Sequence, residues 1–268
     1  MNQDRESISS RHNPRLKAFT RLKNRRARED TQRFLIEGLR ELRHAVAHEI
    51  WIETLLICPS YFKTVEHQRL VEEARDAEVE ILELGSEAFQ KVSSREGPDG
   101  LIGVAVQRDF LLEGAALPEN PFVLVVEKVE KPGNLGAMLR TADAAGVDCV
   151  LCCDPVIDLY NPNVIRSSQG LVFALPIFLT DWRNGRDFLK KNQVRTFATT
   201  PDAEKALWEA DLSGGVALLV GSEKDGLSPE VLQEVEEKVV IPMRGSADSL
   251  NVSVSAAISL YEAMRQRH

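Results

Sequence analysis

From Arg33 onward the chain alternates short apolar runs with segments of helical spacing. "RFLIEG", "IETLLICP", "VEILEL" and "LIGVAVQ" read as strands, since aliphatic and β-branched residues cluster there between turn formers. "LRELRHAVAH", "HQRLVEEARDAE" and "SEAFQKVSS" repeat apolar positions every three or four residues and read as helices. This pattern predicts a small α/β unit over residues 1–110. Periodicity is lost from Arg108 to Pro121, where Gly, Pro and acids take over, and a linker is expected at 111–120.

A second alternation fills 121–268. "FVLVVEKV", "CVLCC", "LPIFLT", "VRTFATT", "GVALLVG" and "KVVIPM" are continuous rather than alternating apolar runs, separated by helical segments such as "LGAMLRTADAAG", "WRNGRDFLKKN" and "SPEVLQEVEE". Strands apolar on both faces, each followed by a helix, imply an α/β fold whose parallel sheet is covered by helices on both sides.

Composition narrows the class. With 268 residues and 43% hydrophobic content the chain can bury a real core. Four cysteines, no apolar leader in "MNQDRESISSRHNPR" and no run of membrane-spanning length point to a reducing cytosol and no membrane partner. Cys149, Cys152 and Cys153 share one apolar run without a second pair or a nearby histidine, so core positions are expected and no metal site. The net charge is −8, yet Met1–Asp30 carries nine Lys or Arg against four acids, a local +5 that leaves −13 elsewhere. A basic arm on an acidic body suits phosphate contact at one surface, although a solvated basic helix reads the same way.

Ligands of an open parallel sheet sit beyond the carboxyl ends of its strands, and three loops there carry unusual residues. In "EKVEKPGNLGAMLRTADAAG", Pro132, Gly133 and Gly136 are expected to shape a tight turn, with Asn134 and Arg140 within reach of a ligand; a loop amide and a surface guanidinium are the plainer alternative. The glycines match neither the dinucleotide fingerprint nor a P-loop. In "LLVGSEKDGLSPEV", Gly221 permits close approach to the backbone, and Ser228 and Pro229 read as a helix start. Capping does not account for Glu223. The third stretch places Ser249, Asn251, Ser253 and Ser255 after a "VVIPM" strand, more polar groups than one cap needs.

Together, "PGNLGAMLRTADAAG", "VGSEKDGL" and "IPMRGSADSLNVSVSAAISLYE" resemble the three motifs of the SpoU/TrmH family of RNA ribose 2′-O-methyltransferases in the SPOUT superfamily, in the family's order and spacing. "NPNVIRSSQGLVFALPI" is similar to its intervening segment. The first half, with "NPRLKAFTRL" and "RFLIEGLRELRHA", resembles the ribosomal-protein-like substrate-binding domain that many members carry. The resemblance implies a deep trefoil knot at the C-terminus, S-adenosyl-L-methionine as cofactor and a homodimer. It places cofactor contacts at Gly221, Ile241 and Leu250, with Leu219 and Met243 beside them. Arg140, Asn134, Glu223, Ser249 and Asn251 would be the catalytic set, with Arg140 serving the partner's cofactor. Ser222 departs from the alanine frequent in relatives.

The family likeness casts Arg140 as activator of the ribose hydroxyl. A guanidinium, with a pKa above about 12, is a poor base. Gripping a phosphate and stabilising the developing alkoxide suits it better, the proton passing to water or to an acceptor such as Glu223. Ribosomal RNA is the expected substrate ahead of transfer RNA. A non-catalytic RNA-binding dimer and a nucleotide-using α/β enzyme are the competing classes.

Overall fold

The computed structural model describes residues 7–8 and 13–267. They fall into two compact units, one comprising the described residues up to Arg108 with 159–174 and the other 109–158 with 175–267.

In the first unit, a five-stranded sheet has the order β1 (Ser7–Ile8), β4 (Glu80–Leu84), β3 (Ile52–Ile57), β5 (Leu101–Val106), β2 (Arg33–Glu37). β5 runs antiparallel to both neighbours and the other pairs are parallel. Helices α1 (Pro14–Arg21), α2 (Arg25–Thr31), α3 (Leu39–Ala47), α4 (Val65–Asp76) and α5 (Ser86–Val92) complete the sequential elements. Leu16, Leu56, Leu82, Phe89 and Ile102 are among the buried residues of its core.

The basic segment is largely helical. Arg5 and Arg11 lie outside the described residues, and several other cations serve the fold. Arg15 pairs with Glu80 at 2.5 Å, Lys23 donates to the carbonyls of Lys91 and Ser93, and Arg28, 2% exposed, donates to those of Leu22 and Lys23.

The unit is completed by 159–174, which includes α7 (Pro162–Ser167). Tyr160 stacks on Phe34 with ring centroids 4.3 Å apart, and its hydroxyl donates to the Arg108 carbonyl at 2.6 Å. Gly170, at φ +86°, lies so close to α3 that a Cβ would stand 2.9 Å from Glu41 Cα.

The second unit contains a six-stranded sheet, all parallel, as the apolar runs predicted. Its order is β11 (Glu237–Val239), β9 (Arg195–Thr199), β10 (Val216–Val220), β6 (Phe122–Glu127), β7 (Cys149–Cys153), β8 (Ile177–Thr180). Helices α6 (Pro132–Ala144), α8 (Trp182–Lys191), α9 (Pro229–Glu234) and α10 (Val252–Arg267) cover it. β6 through β8 extend one way and the later strands lie on the other side of β6, so β6 and β10 flank the point where strand order reverses. In such sheets that is where a crevice forms.

The three cysteines of β7 are buried, and burial pushes the thiols of Cys149 and Cys152 up to about 12. The last strand is shorter than "VVIPM" suggested. β11 ends at Val239, its pairing with β9 stopping at Thr199; Val240 bridges Ala206, and Pro242 lacks the N–H a ladder needs. Among the described residues no helix is long and apolar enough to cross a membrane.

Candidate active site

Asn134 is helical, not part of a loop. α6 begins at Pro132, whose fixed φ suits the first helical position, so Pro132, Gly133 and Asn134 form its first turn rather than the tight turn expected. No side chain at the preceding residue caps the helix. The cap comes from Glu223, on the loop after β10. Its Oε2 accepts from Glu130 N at 2.8 Å; its Oε1 accepts from Lys131 N at 3.0 Å and from Asn134 Nδ2 at 2.7 Å. A carboxylate at a helix N-terminus is electrostatically favoured, which explains the acid that capping within its own loop could not.

The network extends to the third loop. Asn134 Oδ1 accepts from Asn251 Nδ2 at 3.1 Å, while Asn251 Oδ1 accepts from the N and Oγ of Ser253, at 2.9 and 2.7 Å, and so caps α10. Ser253 and Ser255 therefore belong to the first turn of α10, beyond the loop. Three loops distant in sequence are fixed to one another by one carboxylate and two amides.

Burial alone would push the Glu223 carboxyl up, but the bonds from Glu130 N, Asn134 and Lys131 N together hold it below the usual carboxylate range. With both oxygens occupied and its basicity reduced, Glu223 is unsuited to be the proton acceptor considered from the sequence. It acts as a brace.

Gly221 proves close to its own chain. Ser222 and Gly226 exchange backbone hydrogen bonds, and a Cβ on Gly221 would stand 2.0 Å from Gly226 C and 2.2 Å from Leu227 N. The glycine permits this narrow turn, which then forms part of a cavity wall.

That cavity, about 470 Å³, lies at the carboxyl ends of β9 and β10. Of the residues expected there, Gly221, Glu223, Ile241, Met243, Ser249, Leu250 and Asn251 line it. Leu219 does not; it is fully buried in the hydrophobic core between sheet and helices. Asn134 stands behind the lining, and Arg140 is exposed on α6 with no hydrogen bond or ion pair among the described residues. Six helical residues separate Asn134 from Arg140, a rotation of about 240°, so the two side chains leave α6 in different directions. The sequence reading missed Thr199, Thr200, Pro201 and Asp202, which also line the cavity. Their signal was present: "ATTPD" is the end of another strand at the same edge.

The cavity suits S-adenosyl-L-methionine. Its volume lies within the range of about 300–1,000 Å³ usual for small-molecule sites. Val220, Leu227, Ile241, Met243 and Leu250 offer apolar contact for an adenine, and Asp202 and Asp225 place carboxylates near a cationic ligand.

Residues 121–261 match the SpoU rRNA Methylase family, and residues 13–103 match the MRM3-like substrate binding domain. The chain is 31% identical over 258 residues to the 23S rRNA (guanosine(2553)-2′-O)-methyltransferase RlmP of Bacillus subtilis, covering 96% of this chain and 98% of that one. A crystal structure of an RNA 2′-O ribose methyltransferase aligns with TM-score 0.86 at 42% identity, over 97% and 98% of the two chains. The AdoMet-bound rRNA methyltransferase of Sinorhizobium meliloti aligns with TM-score 0.88 at 28% identity, over 97% of each. Two domain matches in order, full-length relatives and a shared architecture agree: the chain belongs to the SpoU rRNA methylase family.

Proposed function

We propose that this protein transfers a methyl group from S-adenosyl-L-methionine to the 2′-hydroxyl of a ribose in ribosomal RNA. The observation that carries the reading is the bracing of three strand-end loops, through Glu223, Asn134 and Asn251, beside a cavity of cofactor size. Full-length similarity to enzymes named for 23S rRNA favours ribosomal over transfer RNA.

When bound, S-adenosyl-L-methionine supplies a sulfonium methyl, open to in-line attack by an aligned ribose oxygen. Ile241, Met243 and Leu250 would pack against its adenine, while Ser249, Ser255 and the turn at Gly221 would bound the rest. Alignment of this kind can remove about 7–11 kcal/mol of barrier, and a braced loop set preserves it. Arg140 grips the neighbouring phosphate and stabilises the developing alkoxide, and the proton leaves to water.

Arg140 acts in the cavity of a second copy. Val254, Ile258 and Tyr261 recur every three or four residues along one face of α10 and are 39–46% exposed, an apolar stripe of the kind a homodimer covers. The same α10 packs on α6, which bears Arg140. Threading of 241–251 into a trefoil knot belongs to this proposal; that stretch shares the cavity wall with the 221–227 loop before α10 returns onto β10.

Incubation with methyl-labelled cofactor and fractionated total RNA, followed by mapping of ribose modification, tests the reading. Label at a 2′-oxygen of ribosomal RNA is expected. Label confined to bases or to transfer RNA, or no binding of the cofactor by calorimetry, would overturn it.

A further inference from the structure

The turn that walls the cavity, 221–227, runs directly into α9, and the local sequence caps that helix only by half. Ser228 Oγ accepts from Val231 N at 3.3 Å, as an N-cap serine should. The other half of such a cap is an acid or amide three residues on, reaching back to the serine's own N–H. Val231 stands at that place, fully buried in the hydrophobic core, and its side chain accepts nothing.

The missing acceptor comes from Glu127, the last residue of β6, 101 positions away in the chain: its Oε2 accepts from Ser228 N at 2.7 Å. Glu127 is 1% exposed. A carboxylate is costly to bury unless it is bonded, and its Oε1 meets Lys128 Nζ at 3.3 Å, on a side chain half in water. Capping alone does not call for this, because a glutamate at 231 would satisfy Ser228 N without a buried charge. What Glu127 adds is a fixed distance between β6 and the end of the 221–227 turn. The backbone beside it is held as firmly: Lys128 is at φ +50°, a left-handed conformation uncommon for lysine, and its N–H donates to Cys153 O at 3.2 Å.

The arrangement is reciprocal. Glu127, which ends β6, caps the helix that follows β10, while Glu223, which follows β10, caps the helix that follows β6. The segment 221–228 is therefore tied to the β6 side twice, from within by Glu223 and at its end by Glu127. We propose that Glu127 is a positioning residue for S-adenosyl-L-methionine: from outside the cavity wall it fixes where the 221–227 turn stands and so sets cofactor affinity. The proposal rests on the cofactor-binding reading of that cavity. Neither Glu127 nor Ser228 lines the cavity, so the effect passes through the turn.

The test uses the full chain and S-adenosyl-L-methionine, with Glu127→Gln, Glu127→Ala and, as control, Thr196→Val. Thr196 Oγ1 accepts from Glu236 N at 3.0 Å, a buried tie just past the other end of α9. Glutamine keeps the shape and an acceptor oxygen but loses the charge, so Kd by calorimetry and KM for the cofactor should rise about 3- to 10-fold; alanine should raise them about 10- to 100-fold. The kcat at saturating cofactor should stay within about twofold, since what is lost is placement of the cofactor before reaction. Amide hydrogen exchange over 222–228 should quicken in both variants. Thr196→Val should lower the thermal midpoint and leave cofactor affinity as it was. A folded Glu127→Gln protein with wild-type Kd and KM, or a Thr196→Val protein with the same loss of affinity, would overturn the proposal, and glutamine decides should alanine fail to fold. Absent cofactor binding by the wild type refutes the methylation reading and this one with it; intact wild-type binding with unaffected Glu127 variants refutes the positioning role alone.

Discussion

Asn134 gives one half of its amide to Glu223 and the other to Asn251: Nδ2 donates to the carboxylate at 2.7 Å and Oδ1 accepts from the neighbouring amide at 3.1 Å. Neither aspartate nor alanine can do both. Asn134→Ala should lower cofactor affinity about 10- to 100-fold, the range set by loss of its one bond to a charged group, about 1.5–3 kcal/mol. Asn134→Asp should be worse, because it sets a second carboxylate against Glu223. A double-mutant cycle with Glu223→Gln, read by calorimetry, should give a coupling of about 1 kcal/mol or more. Additive effects would mean that the contact contributes nothing to binding.

Glu223 also predicts a pH dependence. Its carboxyl is held below its ordinary value of 4.5 in the folded state, so its contribution to stability is present above that value and is lost as pH falls through the lower folded one. Denaturation of wild type and Glu223→Gln should therefore differ most near neutrality and converge in acid, once the pH has passed below the lowered folded value. A gap constant down to acid would contradict the brace.

Arg140 and Glu223 should complement across subunits. Arg140→Ala and Glu223→Ala homodimers are each expected to be nearly inactive. After mixing and re-equilibration, half of the dimers are mixed and each has one intact site, so about a quarter of wild-type activity should return. If Arg140 served its own chain's cavity, mixing would restore nothing. Arg140→Lys should lose about 100-fold in kcat with cofactor affinity unchanged, since a lysine cannot reproduce the planar fork.

Gly221→Ala should be far more damaging than its size suggests. The added methyl meets the backbone of Gly226 and Leu227, not a movable side-chain end. The turn must open, and cofactor binding should fall at least about 10-fold while the thermal midpoint drops by several degrees. A variant with wild-type cofactor affinity would show that the turn does not shape the cavity.

Strand runs and the three unusual loops are legible in the sequence because each depends on local pattern: unbroken apolar stretches for buried strands, and polar or glycine residues where strands end. What escaped depends on partners far along the chain. Glu223 looked like a candidate base because its partners at and just before the start of α6 lie about ninety residues away. Gly221 looked ready for a ligand because nothing local shows that Gly226 folds back onto it. Asn134 was read in a turn, although Pro132 starts a helix there, and Thr199 to Asp202 passed unnoticed because short polar side chains after a strand resemble any loop. Arg140 appeared to share Asn134's site because spacing along a chain hides rotation around a helix.

The excursion from Leu159 to Ala174 has a consequence for anyone cutting this gene. A fragment stopping at Arg108 includes every strand of the first sheet but omits Tyr160 and Phe173, whose rings rest on Phe34. Such a fragment would present bare aromatic surface to water and self-associate. A faithful excision would have to graft the sixteen-residue excursion back onto it, because what encloses this module is spelled out in the middle of the other one.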